Sequence, residues 1–171
     1  MNTSRSMPST AADSLIINPT SIDEDYLHVV AAIIWKTHDP QPEQRISQRK
    51  FLISQRQKGK HLEDYWEFPG GKRERDESPW QALQRELEEE IKIIPTKATP
   101  YMQVYYRYPD QNILLDTWTV EDYQGEAMSG EGQLLRWIDT SQVHEYRLPP
   151  ADLPIIDAIK SSETAGNQYL P

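Results

Sequence analysis

The sequence predicts an α+β fold in which helices cover a β-sheet as an α/β/α sandwich. Three observations predict it. Leu27 to Trp35 is dense in β-branched residues, as a buried strand is. Ser78 to about Ile91 has helical periodicity and a capped start. Strand-like segments follow, and a second amphipathic helix closes the pattern.

In chain order, the first segment is rich in Ser, Thr, Pro and Asn and reads as a flexible tail, taken as residues 1–24. The domain is expected over residues 25–161, with a polar tail over 162–171. His38 to Arg49 carries Pro40 and Pro42 and reads as a long hairpin loop, with Lys50 to Gln55 as the return strand. Tyr65 to Phe68 is a short strand running into Pro69-Gly70-Gly71, where a Gly pair lets backbone approach a ligand. In the first helix Ser78 is the N-cap, Pro79 the first helical residue, and Gln81 completes a capping box. Trp80, Leu83, Leu87 and Ile91 give it one apolar face. Tyr101 to Tyr108 and Ile113 to Val120 read as strands joined by a Pro109-Asp110-Gln111-Asn112 turn. Gln133 to Trp137 reads as a further strand, and a helix over about Leu153 to Lys160 ends the domain.

Composition narrows the function classes. The 171 residues suit one domain with a sizeable core. Acidic residues outnumber basic ones 27 to 18, for a formal charge of -9. That balance argues against a nucleic-acid polymer as partner, but leaves room for a small anionic substrate neutralised by metal ions. The chain has no cysteine, which fits a reducing cytoplasm. Its four histidines lack zinc-site spacing. The longest apolar run is too short to cross a bilayer, and no secretion signal is expected.

The first helix breaks two local rules. Glu86, Glu88, Glu89 and Glu90 crowd its C-terminal end, where the helix dipole already places negative charge. Glu86 and Glu90 are also like-charged i,i+4 neighbours. A bare Glu-rich helix is usually a solvated face, but a hard cation would offset both costs. The surrounding residues decide between these readings. Gly71, five residues, Glu77, seven residues, then Arg85-Glu86-Leu87-Glu88-Glu89-Glu90 and Ile93 resemble the Nudix box. The one departure is Lys92, where that pattern has its second glycine. The pattern's glycine follows the helix at a left-handed C-cap, so Lys there should cost about 1 kcal/mol or add a helical residue, without removing a ligand.

The resemblance implies a Nudix sandwich with a mixed sheet. It also implies magnesium, with manganese as a substitute, held by Glu86, Glu89, Glu90 and the Gly71 carbonyl, with Glu131 approaching the metals. Glu77 would anchor the loop and Arg85 would orient a catalytic carboxylate. Glu86 is the first candidate for the base that takes the proton of the attacking water, and Glu131 the second.

The likeness extends over about Leu27 to Ile159 and is nearest to the MutT-like branch, which cleanses oxidised nucleotides. Arg56 and Lys72 match phosphate-contacting positions, and Glu131-Gly132-Gln133 matches the metal-approaching loop. Phe68 and Tyr108 are placed near the base. Asp152 falls at the position that reads the base, where the enzyme best known for 8-oxo-guanine has Asn; an N-cap is the plainer role for it. Gln111 stands where that enzyme has Arg.

An ionised Asp152 only accepts hydrogen bonds, which suits the N1–H and N2 amino donors of guanine. The Pro-Ala-Asp-x-Pro pattern is also that of related hydrolases of CTP and modified dCTP. The expectation is a nucleoside triphosphate pyrophosphohydrolase, first of 8-oxo-dGTP and alternatively of CTP or modified dCTP. It would be cytoplasmic and a monomer or weak homodimer, with no membrane partner. A nucleotide-sensing module without turnover is the alternative from another class.

Overall fold

The computed structural model describes residues 26–36, 49–59 and 62–167. The expected N-terminal tail and nearly all of the His38 to Arg49 loop lie outside them. The elements are β1 (Leu27–Ile34), β2 (Phe51–Gln55), β3 (Trp66–Glu67), β4 (Gly70–Lys72), α1 (Pro79–Ile91), β5 (Ile93–Arg107), β6 (Asn112–Gly125), β7 (Leu135–Ile138) and α2 (Leu153–Asn167). They form a four-stranded sheet, order β4-β1-β6-β5, and a three-stranded sheet, order β3-β2-β7. The larger sheet is mixed: β1 runs parallel to β6 and antiparallel to β4.

Alternation along β1 creates the layers. Ala31 and Ile33 join a core with Phe51, Ile53 and the α2 residues Ile155 and Ile159. Val30, Ala32 and Ile34 join a second core with Leu52 and the α1 residues Leu83 and Leu87. The strands therefore lie between two helices, and β1 is hydrophobic on both faces, as a central strand must be.

Several boundaries differ from the sequence expectation. β5 begins at Ile93 rather than Tyr101, because Pro95 and Pro100 are tolerated in a strand that ends its sheet and carries register shifts around both. β4 is a strand despite two glycines, because its backbone pairs with Val29 to Ala31. β7 starts at Leu135 rather than Gln133, since the Gln133 side chain is committed elsewhere. α2 continues past Lys160 to Asn167, so the domain edge expected at residue 161 falls inside a helix. Glu163 is buried there and accepts the Thr140 hydroxyl at 2.6 Å, which ties the last turns to the body. Among the described residues, no helix is long and apolar enough to cross a membrane.

Candidate active site

The capping box sets where α1 begins. Ser78 Oγ accepts from the Gln81 amide at 3.2 Å, and Gln81 Oε1 accepts from the Ser78 amide at 2.9 Å. With Leu83, Leu87 and Ile91 fixed in the core, Glu86 and Glu90 fall half-buried beside them, and Glu88 and Glu89 face solvent. Glu90 is held firmly: Ser54 Oγ donates to one of its oxygens and the Gly70 amide to the other, each at 2.8 Å. Arg85 donates to both oxygens of Glu77 at 2.6 and 2.9 Å, to Glu86 Oε1 at 2.9 Å and to the Lys72 carbonyl at 3.0 Å. This guanidinium links the loop before α1, the end of β4 and the Glu86 carboxylate. It holds the Glu77 carboxyl down at about 2.

Electrostatics mark the same spot. Burial first, and then the charges of Glu89 and Glu131, push the Glu86 carboxyl above the usual range although Arg85 opposes them. Burial, with Glu67 and Glu131 nearby, pushes Glu90 up to about 7. Carboxyls whose ionisation is opposed by burial and by one another form an oxygen-only donor set that positive charge would stabilise, which fits a hard divalent cation. The set is not preassembled. Among the described residues, no three His, Asp or Glu side chains stand close enough to hold a metal. Glu90 is turned to Ser54 and Gly70, and the 58 % exposed Glu89 leans on Arg85 at 3.4 Å.

Glu131 is delivered by the loop between β6 and β7, which closes the open end of α1. The Met128 and Gly130 amides donate to the Ile91 and Glu90 carbonyls at 3.0 and 2.7 Å. A Cβ on Gly130 would lie 2.1 Å from the Glu89 carbonyl oxygen, so only glycine allows this approach. Buried Gln133 donates to the Glu90 carbonyl at 2.6 Å and accepts from Ser129 Oγ and the Glu131 amide. Lys92 keeps the left-handed C-cap, at φ 62°, rather than extending the helix. Its Nζ donates to the Glu89 carbonyl at 3.2 Å, so its charge offsets part of the strain.

One cavity of about 600 Å³ gathers most of the predicted residues: Gly71, Lys72, Glu86, Glu90 and Glu131, and also Arg56, Phe68, Tyr108, Gln111 and Asp152. Glu89 and Arg85 stand outside its lining. Arg56 is ion-paired with Glu67, another cavity residue. Sequence reasoning gave no role to Glu67, inside the expected Tyr65 to Phe68 strand, or to the side chain of Gln133; only the fold turns them toward Arg56 and Glu90.

Asp152 does not cap α2. It ends a 3₁₀ turn, Pro150–Asp152, and its carboxyl accepts from the Phe68 amide, while Oδ2 is buried with no partner. Burial above all, and then Glu67, push its carboxyl well above the usual range against the pull of Arg56. The preference for guanine rested on an ionised Asp152, and burial here works against that ionisation. Tyr108, whose hydroxyl accepts from the Ala151 amide at 3.4 Å, is pushed up to about 12 by burial, with Asp152 adding to the rise.

Comparison with known proteins agrees with this geometry. The NUDIX domain profile matches residues 27–159. An 8-oxo-dGTP diphosphatase of Escherichia coli is 36% identical over 116 residues, covering 68% of this chain and 90% of that protein. A CTP pyrophosphohydrolase of the same organism is 38% identical over 117 residues, covering 68% and 86%. The solution structure of the Escherichia coli ORF135 protein superposes with a TM-score of 0.67 at 34% identity, over 82% of this chain and 93% of that one. A MutT structure from a study of Aliivibrio salmonicida and Vibrio cholerae gives 0.64 at 31%, over 80% and 98%. The box spacing, the half-buried glutamates on a capped helix and these likenesses agree: the chain belongs to the Nudix hydrolase family, whose members generally require divalent metal ions.

Proposed function

We propose that the chain is a magnesium-dependent nucleoside triphosphate pyrophosphohydrolase, able to use manganese, that releases a nucleoside monophosphate and pyrophosphate. One observation carries this reading: a single cavity is lined by the carboxylates Glu86, Glu90 and Glu131 and also by Phe68, Tyr108 and buried Asp152. Such a cavity suits a ligand with a polyphosphate and a base. Arg56 and Lys72 meet phosphate oxygens. Held by Glu86, Glu89, Glu90, Glu131 and the Gly71 carbonyl, the cation would neutralise phosphate charge and make an attacking water more acidic. Glu86 takes the proton of that water, with Glu131 as second candidate. The raised Glu86 carboxyl is the stronger base for it, and Arg85 holds it in place.

The leading substrate is 8-oxo-dGTP, so the role is nucleotide-pool sanitation in the cytoplasm, by a monomer or weak homodimer without nucleic-acid or membrane partners. The relatives named for 8-oxo-dGTP and for CTP support both candidate bases. The burial of Asp152, which favours the neutral carboxyl, keeps CTP or modified dCTP as a second reading. A protonated carboxyl offers one donor and one acceptor. It pairs with the O6 and N1–H of a guanine-type base, and equally with the N3 and N4 amino group of cytosine.

The test is a nucleotide panel with magnesium on the native chain and on Glu90→Gln. 8-oxo-dGTP should give the highest kcat/KM, and the variant should lose at least about a hundredfold, since a ligand and its charge are removed. A cytosine preference above about tenfold would overturn the choice of base. Near-native activity of the variant would overturn the ligand assignment. Tight binding without product would favour a sensing module instead.

A further inference from the structure

Behind the site lies a chain of hydrogen bonds that the proposed chemistry does not use. Asp116 on β6 is 4 % exposed, and its Oδ2 lies 3.0 Å from His28 Nε2 on β1. The other ring nitrogen, Nδ1, lies 3.0 Å from Arg73 Nη1. Arginine only donates, so Nδ1 must be a bare acceptor and Nε2 must carry the hydrogen that Asp116 accepts. The protonation pattern of His28 is therefore set from both sides. Arg73 also donates through Nε to the Glu77 carbonyl at 2.6 Å. Glu77 in turn grips Arg85, which donates to Glu86.

A buried Asp and a half-buried His are poor choices if this strand pair only packs. Its neighbours Leu114, Leu115 and Val30 are buried and apolar, and apolar pairs would do as well or better there. What the His28–Asp116 hydrogen bond adds is direction, since it leaves one ring lone pair facing one guanidinium. We propose that His28 and Arg73 are positioning residues, which lock the Glu77 loop so that Arg85 holds the Glu86 carboxylate in its working orientation. This inference rests on the proposed role of Glu86, and it extends the machinery of the site to the opposite face of β1.

The test uses the full chain with magnesium and the best nucleotide of the panel. His28→Gln keeps a polar group near the Nε2 position but none at Nδ1. His28→Asn places its amide oxygen near Nδ1, where it still accepts from Arg73. His28→Gln and Arg73→Ala should each lower kcat about tenfold with KM within about twofold, and His28→Asn should retain most of kcat. A merely structural role predicts that Asn and Gln fall together, in step with melting temperature; that result, or unchanged kcat in Gln and Ala, overturns the proposal. The ring-nitrogen chemical shifts of His28, read without substrate, judge it independently. A bare Nδ1 in the native chain that exchanges tautomers in Arg73→Ala supports the lock, and a protonated Nδ1 in the native chain overturns it. Absence of turnover by the native chain would count against the functional reading, leaving the ring shifts to decide on the lock.

Discussion

Gly71 and Glu86 touch across a missing side chain: a Cβ on Gly71 would lie 2.1 Å from Oε2 of Glu86. The same atom on Gly70 would lie 2.0 Å from the backbone oxygen of Val30. A carboxylate can swing aside, and a central strand cannot. Gly71→Ala should therefore fold with a stability change below about 1 kcal/mol and lose at least about tenfold in kcat. Gly70→Ala should cost about 2 kcal/mol or more in denaturant unfolding. If Gly71→Ala kept full activity, Glu86 would not need its present orientation.

Glu90 makes metal-free stability depend on pH. Its carboxyl rises from an ordinary 4.5 to about 7 on folding. Below 4.5 the group is protonated in both states and costs nothing. Between pH 4.5 and about 7 the unfolded chain ionises while the folded state resists, so stability should fall by roughly 3 kcal/mol across that window and level off above it. Glu90→Gln should remove the fall and make the chelated protein more stable than native at pH 8, while abolishing turnover. Magnesium should restore the native protein selectively. Urea titrations at several pH values, with and without chelator, measure this.

Lys92 should prove nearly neutral. Lys92→Gly relieves about 1 kcal/mol of left-handed strain, but it removes a charge worth about 0.3–1 kcal/mol at the helix end. The net change should stay below about 1 kcal/mol with kcat unaltered. A large gain in activity would mean that the C-cap tunes the glutamates directly.

Asp152→Asn keeps one donor and one acceptor, and so should keep base recognition within about tenfold. Asp152→Leu should raise KM far more. In the native enzyme, recognition of a cytosine base should weaken as pH rises and the carboxyl ionises, because N3 then loses its donor, whereas a guanine-type base, which the ionised carboxylate also suits, should be held with little change. The Asn variant should lose that dependence. A pH series of kcat/KM for both proteins separates these outcomes.

The strands with alternating or continuous apolar runs, the capped helix and the glutamate cluster were legible because each obeys a short-range period or spacing. Gly71 and Glu86 could be paired by the motif, but their contact needed β4 to lie against β1, which two glycines do not announce. The β5 extension was hidden by Pro95 and Pro100, whose local cost is small only at the end of a sheet. The burial of Asp152 was invisible because it depends on the adjacent Glu67 and Phe68 and the distant Tyr108 meeting around it. Gln133 read as the start of a strand because glutamine has no sequence signature for gripping a helix end.

The glutamates come from two different places in the architecture. Glu86 and Glu90 ride on α1, while Glu131 arrives from the connection that leaves the larger sheet and enters the smaller one. The two halves of the larger sheet are joined by the parallel pairing of β1 with β6, which sets Leu27 beside Ile113, distant in the chain. Contacts of that kind form late, since long loops must close first. Enzymatic competence should thus be a stringent signature of complete assembly: in a refolding time course, recovered turnover should trail both helix formation and collapse of the two apolar cores.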